Sequence, residues 1–67
     1  MLSARNQFKG TVKSVKVGTV MAEVVVTVGG LEIVSAITRA SVEHMALKVG
    51  DQVTAVIKST EVLIGKD

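Results

Sequence analysis

The stretch VMAEVVVTVGGLEIVSAI, residues 20–37, decides the fold. Side chains of an extended chain alternate between two faces, so one apolar face is formed by Ala22, Val24, Val26 and Val28. Gly29 and Gly30 fit a two-residue hairpin turn, because glycine tolerates positive φ at both positions. Residues 31–37 then place apolar or small side chains at alternate positions. This pattern predicts two antiparallel strands joined by a tight turn.

The segments on either side of this hairpin add further strands. Residues 8–17 carry apolar side chains with a period of two, and the parity changes near Lys13-Ser14, which indicates a β-bulge. Beyond the turn at Gly50-Asp51, residues 52–57 alternate again. Residues 62–64, with the sequence Val-Leu-Ile, are expected to form a last short strand.

A short helix is expected between the third and fourth strands. Ser41 fits its N-cap, residues 42–45 fit its turns, and Glu43 is favourably placed against the helix dipole. The order of three strands, a helix and two strands predicts an all-β fold with one short helix, a five-stranded OB-like Greek-key barrel without exposed edges. A five-stranded meander is the structural alternative.

The size of the chain predicts an oligomer. With 67 residues, 48% of them hydrophobic, residues 1–67 are interpreted as a single domain near the lower size limit for independent folding. Domains this small usually need a disulfide, a metal or a partner chain. The sequence has no cysteine and one histidine, which excludes a disulfide and a thiolate or imidazole metal cluster. Oligomerisation is therefore the expected source of additional buried surface.

Composition favours a small anion over a nucleic acid or a membrane as partner. No apolar run approaches the roughly 18 residues that cross a bilayer, so we expect a soluble, cytoplasmic protein. Eight Lys and Arg residues against six Asp and Glu residues give a formal charge of +2. Phe8 is the only aromatic residue, whereas proteins that bind single-stranded nucleic acid stack bases on several aromatic rings.

An enzyme is not expected, because the sequence offers no nucleophile with a base, no paired carboxylates and no set of metal ligands. His44 is the only imidazole, and neighbouring helical positions such as Glu43 point away from it. His44 is therefore interpreted as a surface or interface residue. The three methionines have no cysteine or second histidine beside them, so they fit a core or an interface better than a soft-metal site.

Hydroxyl and cationic side chains concentrate at the ends of the predicted strands. They are Ser3, Arg5, Thr38, Ser41, Lys58 and Ser59. An oxyanion only accepts hydrogen bonds, so such donors can converge on one, and the free N–H groups of a helix start add to them. Ser and Thr at helix caps and Lys at strand ends are also common without any ligand, so the pattern alone leaves both interpretations open.

One segment of the chain is specific enough to indicate a family. Ser3-Ala4-Arg5-Asn6-Gln7, followed by Phe8-Lys9-Gly10, resembles the opening motif of the molbindins, the small molybdate-binding Mop proteins. Residues 36–41, 47–51 and 56–62 resemble segments that this family places in the same order. The resemblance spans residues 3–67, nearly the whole chain.

The resemblance implies both an assembly and a ligand. The members of this family form an OB-like barrel that assembles as a homo-hexamer, a trimer of dimers. They hold molybdate or tungstate between subunits. The metal is bound as an oxyanion without direct protein ligands, and the implied role is non-enzymatic molybdenum storage and homeostasis. The implied site combines Ser3, Ala4 and Arg5 of one subunit with a set from its neighbour, namely Thr38, Ser41, Lys58 and Ser59.

Other functions stay open at this point. The strand order and the charge of +2 also suit an OB-fold nucleic-acid-binding module, although a single aromatic residue disfavours it. An interaction module is a further alternative, since similar domains occur fused to transport ATPases and to molybdate-responsive regulators. A pterin-bound form of the metal is the alternative to the free oxyanion.

Overall fold

The computed structural model describes residues 5–67, in which four antiparallel strands form one sheet. The elements in chain order are β1 (Asn6–Val17), β2 (Met21–Val28), β3 (Leu31–Thr38), α1 (Arg39–Met45), β4 (Gln52–Ile57) and a 3-10 turn (Ser59–Glu61). The sheet order is β3-β2-β1-β4, so β4 pairs with β1 and not with β3. This order is not that of a meander. No helix within residues 5–67 is long and apolar enough to cross a membrane.

The central hairpin is confirmed. β2 and β3 pair antiparallel from Met21 opposite Thr38 to Val28 opposite Leu31. The turn between them places Gly29 at a φ of +59°, a conformation that favours glycine. Gly30 does not have a positive φ, so the turn requires glycine's conformational freedom at one of its two positions.

The predicted bulge in β1 is confirmed by a register shift between Val12 and Ser14. β1 pairs with β4 from Asn6 to Thr11 and with β2 from Thr11 to Val17, so the bulge lies within the part that pairs with β2. Val12 itself also bonds to the turn before β4, because its N–H donates to the Asp51 carbonyl and its carbonyl accepts from the Gly50 N–H, both at 2.9 Å. One long strand thus belongs to both halves of the sheet.

The helix begins earlier than predicted. Its N-cap is Thr38, whose Oγ1 accepts a hydrogen bond from the Ser41 N–H at 3.0 Å, so the assignment of Ser41 as N-cap is wrong. The physical reason is that Thr38 ends β3 in an extended conformation and its hydroxyl reaches the third helical residue. Glu43 consequently lies beyond the first turn and not next to the helix start; it pairs with Arg39 at 3.7 Å.

The predicted fifth strand is wrong for the single chain. Residues 62–64 form no strand, and the side chains of Leu63 and Ile64 are 93% and 90% exposed. After β4 the chain enters the 3-10 turn, and the residues that follow pair with neither edge of the described sheet. The expected closed barrel is therefore an open four-stranded sheet within residues 5–67.

The core is small and consists of small side chains. Within residues 5–67 the buried apolar residues are Val12, Ala22, Val24, Val26 and Val42. The inner face predicted for β2 supplies three of them, and α1 supplies Val42. Partly buried neighbours, among them Ile37, Leu47 and Val53, complete the cluster. A core of five small residues leaves much apolar surface exposed, which fits the expectation that the chain gains stability by association.

Candidate oxyanion-binding residues

The structure brings Arg5, Lys58 and Ser59 to one end of the sheet. The pairing of β1 with β4 ends at Asn6 opposite Ile57. Arg5 and Lys58 are the next residues on the two chains, and Ser59 follows at the start of the 3-10 turn. All three are exposed. The antiparallel register therefore places two cations and a hydroxyl side by side, although Arg5 is more than fifty positions from Lys58 and Ser59 in sequence.

These two cations have no carboxylate partner among residues 5–67. The ion pairs of the described chain are Lys13 with Glu32, Arg39 with Glu43 and Lys48 with Asp51. Glu61 follows Lys58 by three residues but does not pair with it in the described part of the chain. An unneutralised pair of cations at one strand end is an electrostatic arrangement that a bound anion would stabilise.

Thr38 and Ser41 form a second donor group at the start of α1. The Thr38 hydroxyl accepts from the Ser41 N–H and donates to the Ser41 Oγ at 2.8 Å. Because Ser41 Oγ is the acceptor in that bond, its own proton is free to be donated elsewhere. Ser41 is half-buried and Thr38 is exposed. The Thr-x-x-Ser spacing was the sequence signal for this arrangement, and sequence reasoning missed it by placing the cap at Ser41.

The two donor groups lie at opposite ends of β1 in one chain. Val17 pairs with Ala22, and Ala22 pairs with Ile37, so Thr38 lies just beyond the Val17 end. Arg5 and Lys58 lie beyond the Asn6 end. β1 is 12 residues long and is interrupted by the bulge. Ile37, which precedes Thr38, and Lys58 nevertheless line the same groove of the bent sheet.

Ser3 and Ala4, the remaining candidate residues, lie outside the described residues. His44 is exposed on α1, as predicted, and borders a shallow depression with Ala40, Ser41 and Met45. Within residues 5–67 no three His, Cys, Asp or Glu side chains are grouped so that they could hold a metal ion. The polar groups brought together in this part of the chain are hydrogen-bond donors, which suit an oxyanion and not a bare cation.

Replacing Thr38 with alanine tests the cap and the hydroxyl pair together. We expect the free energy of unfolding to fall by about 1 kcal/mol, because the Ser41 N–H loses its acceptor. Thr38→Ser keeps the hydroxyl and is expected to retain most of that stability. Urea denaturation of the two variants measures the difference, and an unchanged midpoint in Thr38→Ala would contradict the assigned cap.

These features define a class of protein, a small antiparallel β-domain with one short helix that presents hydrogen-bond donors at its strand ends. A family model described as the TOBE domain matches residues 2–64. Molybdenum-pterin-binding protein 3 of Clostridium pasteurianum is 52% identical over 64 residues, which are 94% of this chain and 94% of that protein. The chain belongs to the molbindin (Mop) family of TOBE-domain proteins.

Solved structures support the same fold. A molybdate-binding protein from Sporomusa ovata is 45% identical, with a TM-score of 0.93 and coverage of 98% of both chains. The cytoplasmic molybdate-binding protein ModG, in a form with molybdate bound, is 45% identical with a TM-score of 0.84. That match covers 88% of this chain and 43% of the ModG chain.

Proposed function

We propose that this chain binds molybdate or tungstate reversibly, as a non-enzymatic protein for molybdenum storage and homeostasis in the cytoplasm. Residues 1–67 act as one molybdate-binding domain within a homo-hexamer, a trimer of dimers. The relatives support the ligand, since they are described as molybdate-binding or molybdenum-pterin-binding proteins. ModG is described as cytoplasmic, which supports the location.

The observation that carries this proposal is the placement of Arg5 and Lys58 at one end of the β1–β4 pair. Neither side chain has a carboxylate partner within residues 5–67. A tetrahedral dianion presents four oxygens that accept and never donate, so its site needs donors and positive charge. Arg5 supplies a planar fork of N–H groups, and Lys58 supplies a compact point charge. Together they match the two negative charges of the ligand.

The hydroxyl groups complete the donor set. Ser59 follows Lys58 directly, and Ser41 has a hydroxyl proton that is not used in its bond with Thr38. Neutral hydroxyls add direction and contribute no further charge. The proposed donor set also includes Ser3 and Ala4, which precede Arg5 in the sequence.

The proposed site lies between subunits, as the family resemblance implies. It combines Arg5 of one copy with a donor set from its neighbour, namely Thr38, Ser41, Lys58 and Ser59. An interface also excludes water, which strengthens each charge-assisted hydrogen bond. Ligand binding is therefore expected to stabilise the assembly by mass action.

Calorimetric titration of the purified protein with molybdate, tungstate and sulfate tests this proposal. We expect saturable binding of molybdate and tungstate with similar affinity, and no competition from sulfate. Absence of molybdate binding at millimolar ligand would overturn the proposal. A salt-sensitive gel shift of a single-stranded oligonucleotide under the same conditions would then support the nucleic-acid-binding alternative.

A further inference from the structure

Met21 is an exposed apolar residue beside the donor group formed by Thr38 and Ser41. It begins β2, and 48% of its surface is exposed. In the antiparallel β2–β3 pair it lies directly opposite Thr38. Residues opposite one another in such a pair project from the same face of the sheet, with Cβ atoms about 4.5–5.5 Å apart. Met21 is therefore the neighbour of Thr38 across the two strands.

Backbone hydrogen bonds hold Met21 in this position from both sides. The Val20 carbonyl accepts a hydrogen bond from the Arg39 N–H at 2.7 Å, which ties the residue before Met21 to the residue after Thr38. The Met21 carbonyl accepts from the Gly18 N–H at 2.8 Å. A Cβ at position 18 would lie 2.9 Å from that carbonyl oxygen, so the turn before β2 is tight. The start of β2 is thus fixed against the start of α1.

The side chain next to the hydroxyl pair is uncharged. Thr38 and Ser41 bond to each other, and the Ser41 hydroxyl proton is not used in that bond. The carboxylate on the same face of β2 is Glu23, two positions further along the strand. It lies opposite Lys16 in the β1–β2 pair. An anion beside the hydroxyl pair would therefore meet the hydrocarbon and thioether of Met21 before it meets a negative charge.

An apolar neighbour changes which dianion a site prefers. Water must leave the ion where the wall offers no hydrogen bond in exchange. Sulfate and molybdate are both tetrahedral dianions, but sulfate is smaller, so its charge is more concentrated and its dehydration costs more. An apolar wall beside the donors disfavours sulfate more than molybdate. The charge of the ion and its number of acceptor oxygens do not discriminate, because they are the same for both.

We propose that Met21 is a specificity-determining residue, which makes the Thr38–Ser41 side of the oxyanion site selective for large, weakly hydrated dianions over sulfate. The inference rests on the proposed function, in which Thr38 and Ser41 contribute to that site. The exposed part of Met21 replaces water beside the ligand, and its unbranched chain adapts to the larger ion. This gives a physical reason why sulfate is expected not to compete with molybdate.

Replacing Met21 with glutamine tests the inference at nearly constant side-chain length. Glutamine offers an amide that donates hydrogen bonds in place of the lost water. Each variant is loaded with molybdate at the same multiple of its own dissociation constant, and sulfate is then titrated in a calorimeter. We expect sulfate to displace half of the molybdate from Met21→Gln at a concentration at least about tenfold below the highest that leaves the unaltered chain loaded.

Two further variants serve as matched controls. Met21→Leu keeps an apolar wall beside Thr38, and we expect it to resist sulfate like the unaltered chain. Leu31→Gln makes an apolar-to-amide change at the other end of the β2–β3 pair, where Leu31 is 71% exposed and lies opposite Val28. We expect this variant to resist sulfate as well, because Leu31 is far along the strands from the hydroxyl pair.

Failure of this inference is distinguishable from failure of the proposed function. Molybdate binding by Met21→Gln with undiminished resistance to sulfate would overturn the role of Met21 and leave the proposed function standing. Equal sensitivity to sulfate in Met21→Leu or in Leu31→Gln would also overturn that role, since the effect would not depend on an apolar side chain beside Thr38. Absence of molybdate binding by the unaltered chain would overturn the proposed function and this inference with it.

Discussion

Replacing Arg5 with alanine is expected to weaken molybdate binding by about 10- to 100-fold. Arg5 is one of two cations at the end of the β1–β4 pair and has no ion-pair partner within residues 5–67. Loss of a hydrogen bond between charged groups typically costs about 1.5–3 kcal/mol, and each 1.4 kcal/mol is about tenfold in affinity. The exposed position of Arg5 means that the fold should be unaffected. Calorimetric titration of the variant with molybdate measures the change.

Two further variants separate geometry from charge in this prediction. Arg5→Lys keeps the positive charge but loses the planar fork, so we expect an intermediate affinity. Lys48→Ala removes the same charge from the turn before β4, where the side chain is 80% exposed and lies near Asp51. We expect it to bind molybdate like the unaltered chain. Unchanged binding in Arg5→Ala would show that the proposed site is wrong.

Replacing Gly10 with alanine is expected to have the largest effect on stability. A Cβ atom at this position would lie 2.3 Å from the Thr27 carbonyl oxygen and 2.8 Å from Val26 Cγ1. The first of these atoms belongs to the backbone of β2 and cannot rotate away, so β1 and β2 would have to separate. Overpacking of this kind typically costs about 1–3 kcal/mol, a large part of the stability of a small domain.

Gly30→Ala is the matched control, because a Cβ there meets nothing within 4 Å and the residue has no positive φ. Thermal unfolding followed by circular dichroism compares the two variants. A melting temperature lowered by at least about 5 °C in Gly10→Ala, with little change in Gly30→Ala, is the expected result. Equal melting temperatures would contradict the close approach of the two strands.

Local patterns in the sequence predicted those parts of the fold that depend on residues close together in the chain. The alternation in β2, the Gly29-Gly30 turn and the parity change near Lys13 depend on neighbouring residues, and all three are confirmed. The helix start shifted from Ser41 to Thr38 because both residues can cap a helix, and the end of β3 decides between them.

The fifth strand could not be predicted correctly from local pattern. Residues 62–64 are apolar, which indicates that they are buried somewhere, but the pattern does not say against which surface. In the single chain they form no strand and pair with neither edge of the described sheet. Whether such a segment pairs depends on a distant edge, and that edge can belong to another copy.

The sequence likewise predicted the residue types of the candidate site but not how the fold groups them. Residue types alone indicated which side chains could donate to an anion, among them Arg5, Thr38 and Lys58. Their grouping depends on the β1–β4 register, which joins Asn6 to Ile57 across the whole chain. That register places Arg5 with Lys58 and leaves Thr38 at the other end of β1.

Native mass spectrometry of the purified protein, with and without molybdate, tests the central claim most directly. One spectrum reports both the number of subunits and the number of bound anions. We expect a hexamer that gains discrete molybdate masses, which excess sulfate does not displace. A monomer or dimer that gains no molybdate mass would contradict an oxyanion site built between subunits.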